Sequence, residues 1–73
     1  MTLYEFNALD LNERMEAVNQ MGTFINNYVT ADERCNLYAL GMFFVEVTYD
    51  GGTNSITDIK SFKSGHLLDK YAR

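Results

Sequence analysis

A helical period of apolar residues near the N-terminus gives way to alternation after residue 22. The helical part places three apolar side chains on one face, at positions i, i+4 and i+7: Leu11, Met15 and Val18. Asp10 precedes this stripe, and Glu13 follows Asp10 by three residues, as a capping box requires. Gly22 is a natural left-handed stop, so the pattern predicts a helix between Asp10 and Gly22. A start capped by Asn7, with Phe6 stapled onto Leu11, is the alternative.

Alternating apolar and polar residues predict four antiparallel strands in the rest of the chain. Their ranges are residues 23–30, 35–40, 43–49 and 55–63. Gly41 and Met42 fit a two-residue hairpin turn of type II′, and residues 50–54 fit a longer turn. The apolar residues of the last strand are spaced by three rather than two, and a bulge near Asp58 would reconcile that spacing with a sheet.

The two ends of the chain carry shorter patterns. Residues 3–6 alternate and predict a short strand or an extended arm. Ser64 is a suitable cap for a short C-terminal helix. The predicted fold class is α+β: an N-terminal helix, a four-stranded antiparallel meander with the order 1-2-3-4, and a short C-terminal helix. The side chains that we expect to be buried are Leu11, Met15, Val18, Phe43, Val45, Val47, Ile59, Phe62, Leu67 and Leu68.

Length and composition indicate one small globular domain, residues 1–73. A domain of this size buries only about 60% of the surface that its unfolded chain exposes. Hydrophobic residues make up 47% of the chain, and ten residues are Phe or Tyr, which excludes a disordered protein. The net charge is −4 and the basic residues are scattered, which argues against binding to the phosphate backbone of a nucleic acid.

Cys35 is the only cysteine of the chain, so an intramolecular disulfide is impossible. Small secreted domains usually need several disulfides. The sequence has no segment of about 20 apolar residues and no N-terminal apolar run typical of a signal peptide. We therefore expect a cytoplasmic protein without a membrane partner.

Several short motifs are spread over nearly the whole chain. They are YEFNAL at residues 4–9, GTF at 22–24, LY at 37–38, FVEV at 44–47 and SFKS at 61–64. In these motifs the chain resembles a group of short, uncharacterised bacterial α+β proteins. The resemblance implies a bacterial origin and a stand-alone small domain. It transfers no functional residue, because that group has no established activity.

The residues that usually carry chemistry form no metal-binding or catalytic motif; Cys35, His66 and an acid could in principle form a nucleophilic site, but any chain of this length with one Cys and one His offers as much. A metal site needs three or four converging ligands, whereas Cys35 and His66 are each alone in the sequence. The turn at residues 50–54 lacks the spacing and the distal Glu of a calcium loop, and no Lys-Ser/Thr follows it as in a phosphate loop. We expect no metal, no cofactor and no catalytic residue, and therefore a protein that is not an enzyme.

The strongest predicted strand, residues 43–49, has two apolar faces. One face, which includes Val45, is predicted to lie under the helix, and the opposite face includes Phe44 and Glu46. We expect Tyr38 to lie beside Phe44 on this opposite face, with Glu46 as a solvated acid. Because apolar clusters on small monomers usually mark interaction sites, the candidate interface residues are Tyr38, Phe44 and Glu46. The alternative is that the N-terminal arm folds over this face and closes it.

The predicted function is a small protein-interaction module without catalytic activity. Its expected partner is a second copy of itself, with another protein as an alternative, because a two-fold homodimer would bury the opposite face. Edge-to-edge pairing of the first or fourth strand is a competing route, and Lys60 and Lys63 disfavour the fourth. A second interpretation is an inhibitor of a host protein, of the kind encoded by phages or mobile elements and including nucleic-acid mimics.

Overall fold

A computed structural model describes residues 1–63 of the chain. Two helices precede a four-stranded sheet: α1 is Leu3–Asn7, α2 is Leu11–Met21, β1 is Thr23–Val29, β2 is Glu33–Leu40, β3 is Phe43–Asp50 and β4 is Ile56–Phe62. The strands are antiparallel in the order β1-β2-β3-β4, which confirms the α+β class and the meander. The predicted C-terminal helix, with Leu67 and Leu68, lies outside the described residues. Neither α1 nor α2 has the length and apolar character needed to cross a membrane.

Helix α2 begins where the capping box predicts. The N–H of Glu13 donates to Asp10 Oδ1 at 2.8 Å, and the N–H of Asp10 donates to Glu13 Oε1 at 3.0 Å. The alternative start at Asn7 is therefore wrong. Gly22 ends the helix in an extended conformation, with φ −79° and ψ 142°, rather than as a left-handed stop. Glycine is needed there for space, because a Cβ would lie 2.6 Å from the carbonyl oxygen of Val18.

Residues 3–6 are helical, so the predicted strand or extended arm is wrong. A second capping box begins α1: the N–H of Glu5 donates to Thr2 Oγ1 at 3.1 Å, and the N–H of Thr2 donates to Glu5 Oε1 at 2.7 Å. The helix turns Phe6 into the core, where its ring contacts that of Phe43. The alternative in which this segment closes the opposite face of the sheet is wrong as well.

The core lies between the helices and one face of the sheet. Its buried residues are Phe6, Ala17, Val18, Leu40, Phe43, Val45, Val47 and Ile59. Five of these were predicted: Val18, Phe43, Val45, Val47 and Ile59. Leu11 is 50% exposed and Met15 is only partly buried, because the buried stripe of α2 runs through Ala17 and Val18. Phe62 is partly buried, on the opposite face of the sheet.

Each edge strand contains one β-bulge. In β4 the extra residue is Thr57, which confirms the bulge predicted near Asp58. In β1 the extra residue is Ile25, between Phe24 and Asn26. Each bulge shifts the register by one residue and so exchanges the faces to which the following side chains point.

Candidate interaction surface

The two-residue turn between β2 and β3 determines which side chains share a face. Leu40 pairs with Phe43 across this turn, and Gly41 has the positive φ, 64°, that such a turn needs. Counting back along the strands from that pair, Tyr38 lies directly opposite Val45. Residues directly opposite each other share a face, so Tyr38 lies on the helix side of the sheet.

The predicted cluster of Tyr38, Phe44 and Glu46 on one face is therefore wrong. Phe44 and Glu46 lie on the face away from the helices, where the ring of Phe44 stacks on that of Phe62 with centroids 6.0 Å apart. Glu46 is only 2% exposed, so it is not the solvated acid that was expected. Leu37 and Thr48 on this face are also buried within the chain. The face is thus not the open apolar surface expected from the sequence.

The open surface of the sheet lies instead on the helix side, over β1 and β2. The helices pack on β3, on β4 and on the Leu40 end of β2. Beyond them, side chains of the first two strands form a surface that we name the open strip: Phe24, Asn27, Val29, Arg34, Asn36 and Tyr38. Phe24 is 56% exposed and Val29 is 62% exposed. The open strip therefore presents apolar surface on the part of this face that β1 and β2 form.

Aromatic rings occupy one end of the open strip, and a stacked cation occupies the other. The ring of Phe24 stands edge-on to that of Tyr38, with centroids 5.8 Å apart and planes at 75°. At the other end, Arg34 Cζ lies 5.2 Å from the ring centroid of Tyr49, and Arg34 Nη2 donates to Asn54 Oδ1 at 2.9 Å. Burial raises the pKa of Tyr49 above its ordinary value of 10.0, so its hydroxyl is neutral near pH 7. These contacts hold the Arg34 side chain against the sheet.

Two asparagines lie between the ends of the open strip. Asn27 pairs with Asn36 across β1 and β2, and Asn36 Nδ2 donates to the Tyr38 hydroxyl at 3.5 Å. The open strip carries no acidic side chain, although the chain has a net charge of −4. Tyr, Phe and Arg are enriched at protein interfaces, whereas Asp and Glu are depleted there. The composition of the open strip is therefore typical of a protein-binding surface.

Of the predicted interface residues, only Tyr38 belongs to the open strip. The sequence did carry a signal for Arg34 and Asn36, because the turn at Gly41 determines the face of every residue in β2. It carried no comparable signal for β1. The face of its later residues depends on the bulge at Ile25, and the sequence pattern does not show that bulge.

Residues 1–63 offer a surface rather than a cleft. They contain no group of three His, Cys, Asp or Glu side chains placed to hold a metal ion, and they enclose no ligand-sized pocket. The Cys35 thiol is buried, with Sγ 3.6 Å from Thr48 Oγ1. His66 lies outside the described residues.

Comparisons with models of protein families, with curated proteins and with solved structures found no match to this chain.

Proposed function

We propose that this protein is a small interaction module without catalytic activity, and that it pairs with a second copy of itself through the open strip. The observation that carries the proposal is the partial coverage of one sheet face. The helices cover β3, β4 and one end of β2, whereas Phe24 and Val29 on β1 remain more than half exposed. A small domain gains core by burying such a surface in a dimer.

The covered and open parts of this face form a step. The open strip is two strands wide, or about 10 Å, and a helix with its side chains is also about 10 Å thick. Two sheets that pack face to face are separated by about the same distance. The step is therefore about as wide as it is high, and its height matches the separation of two packed sheets.

A step of this shape is complementary to itself. A two-fold axis parallel to the strands lays β1 of one copy over β2 of the second copy. The helices of each copy then stand beside the edge strand of the other instead of colliding with its helices. Isologous pairing of this kind is the commonest symmetry among soluble oligomers.

The side chains of the open strip also suit a two-fold arrangement. Phe24 of each copy meets Tyr38 of the other, which extends the existing pair of rings to a cluster of four. Asn27 meets Asn36 of the second copy, and each amide offers both donors and an acceptor. The open strip itself brings no carboxylate into the interface, although the chain has a net charge of −4.

NMR spectra of a uniformly labelled sample, diluted from millimolar to low micromolar concentration, test where the copies meet. We expect concentration-dependent shifts at Phe24, Val29 and Tyr38. Met42 is 89% exposed at the β2–β3 turn and serves as the control whose signals should not move. The absence of shifts, or shifts confined to the face of Phe44 and Phe62, would contradict the proposal.

A further inference from the structure

We infer that the side-chain oxygens of Asn26 and Asp58 prevent the two edges of the sheet from pairing with further strands. β1 and β4 are the edge strands. Edge strands of a sheet expose N–H and C=O groups that can template another chain, and native proteins limit this in several ways. The inference does not depend on the open strip, which lies on a face of the sheet rather than on an edge.

The same arrangement of three residues occurs in both edge strands. It consists of a bulge residue, a residue with an amide or carboxylate side chain, and a residue whose backbone N–H is bound by that side chain. The two sets are Ile25, Asn26 and Asn27 in β1, and Thr57, Asp58 and Ile59 in β4. The N–H of Asn27 donates to Asn26 Oδ1 at 2.8 Å, and the N–H of Ile59 donates to Asp58 Oδ1 at 2.9 Å.

The bound N–H of Ile59 lies on the outer edge of β4. Thr57 Oγ1 donates to the carbonyl oxygen of Thr48 at 3.3 Å, so the backbone groups of Thr48 are directed at β4. Successive residues of a strand direct their backbone groups to alternate sides, so those of Val47 are directed at β2. Ile59 pairs with Val47 and therefore has its N–H on the free side of β4.

The bound N–H of Asn27 lies on the outer edge of β1 by the same reasoning. The N–H of Thr30 donates to the carbonyl oxygen of Glu33 at 2.9 Å, so Thr30 is directed at β2. Asn27 is an odd number of residues away and is directed outward. Asn27 and Ile59 stand at opposite ends of one row of paired residues, which runs through Asn36 and Val47.

The position of the bound amides makes them effective barriers. Each edge strand has seven residues, and the bound amide lies at or next to its middle. An incoming strand needs a free donor at every second residue, so the loss of the central one divides the edge into short pieces. β1 has no charged residue and no proline to protect it, so Asn26 and the adjacent bulge are its visible protection.

A pair of double variants tests the role of the oxygens. Asn26→Ala with Asp58→Ala removes both acceptors, and Asn26→Asp with Asp58→Asn keeps an oxygen at each site. By sedimentation velocity and thioflavin T fluorescence, we expect the alanine pair to form strand-paired species larger than those of the unaltered protein, and the control pair to behave like the unaltered protein. If the alanine pair sediments unchanged, or if both pairs associate further, the inference fails.

Amide hydrogen exchange of the unaltered protein provides a second test that does not depend on the folding of a variant. Val29 is next to Thr30, so its N–H is also directed outward, and among residues 1–63 no side chain binds it. After correction for intrinsic rates, the amides of Asn27 and Ile59 should exchange about two- to tenfold more slowly than that of Val29, as expected for one net hydrogen bond. Equal or faster exchange at Asn27 and Ile59 would overturn the inference.

Discussion

The ring of Phe6 in α1 packs against the ring of Phe43 in β3, with centroids 5.6 Å apart and planes at 57°. Both side chains are buried, and a helix of five residues is not stable alone, so this contact holds α1 on the sheet. We predict that Phe6→Ala lowers the free energy of unfolding by about 3–5 kcal/mol in denaturant titrations. Tyr4→Ala is the matched control on the same helix, because Tyr4 is 87% exposed. That control should change stability by no more than about 0.5 kcal/mol, and equal losses for the two variants would contradict this account of α1.

The capping box at the start of α2 should contribute measurably to stability. Asp10→Ala removes the acceptor for the N–H of Glu13, and we expect a loss of about 1 kcal/mol. In a domain of this size that loss lowers the midpoint of thermal unfolding by about 4–8 °C. Asp10→Ser keeps a capping oxygen and should restore most of the stability. If the serine and alanine variants melt together, the cap does not stabilise this helix.

The turn after β3 should make stability depend on pH in the acid range. Asp50 Oδ1 accepts from the N–H groups of Thr53 at 3.0 Å and Gly52 at 2.7 Å, and these bonds lower the pKa of Asp50 below its ordinary 3.8. A carboxylate with a lowered folded pKa stabilises the fold above its unfolded pKa, and this contribution is lost as pH falls through the folded value. The loss therefore occurs below pH 3.8.

Asp50→Asn isolates that contribution, because its side-chain oxygen still accepts hydrogen bonds but does not titrate. Glu5 adds acid-dependent stability of the same sign, because its bond from the Thr2 N–H lowers its pKa. Urea titrations at successive pH values give the free energy of unfolding of the unaltered protein and of Asp50→Asn. The difference between these two free energies therefore reports on Asp50. We expect the difference to shrink as pH falls below 3.8, and a difference independent of pH would show that Asp50 contributes no acid-dependent stability.

Local signals in the sequence were sufficient to predict most of the helices and strands. Asp10 and Glu13 mark the start of α2, alternation marks the strands, and the irregular spacing in β4 indicates its bulge. Helix α1 was not predicted, because residues 3–6 also alternate like a strand. The sequence signal for α1 is the capping box of Thr2 and Glu5, which makes the same pair of bonds as the box of Asp10 and Glu13.

The faces of the sheet were harder to predict than its strands. The face of Tyr38 follows from the two-residue turn. The pairing of Leu40 with Phe43 determines which side chains of β2 point to each face of the sheet. The burial of Glu46 and the exposure of Leu11 depend on what packs over each element, and periodicity alone does not contain that information. The candidate surface is therefore the open strip and not, as the sequence predicted, the face of Phe44.

Sedimentation equilibrium at micromolar concentration tests the central claim, pairing through the open strip, most directly. The proteins to compare are the unaltered chain, Phe24→Ser within the open strip, and Met42→Ser as a control at a more exposed apolar site away from it. The account predicts a mass twice that of the 8.4 kDa chain, unchanged by Met42→Ser. It also predicts a dissociation constant raised at least about tenfold by Phe24→Ser. A single species of 8.4 kDa throughout, or a dimer that Phe24→Ser leaves intact, would contradict it.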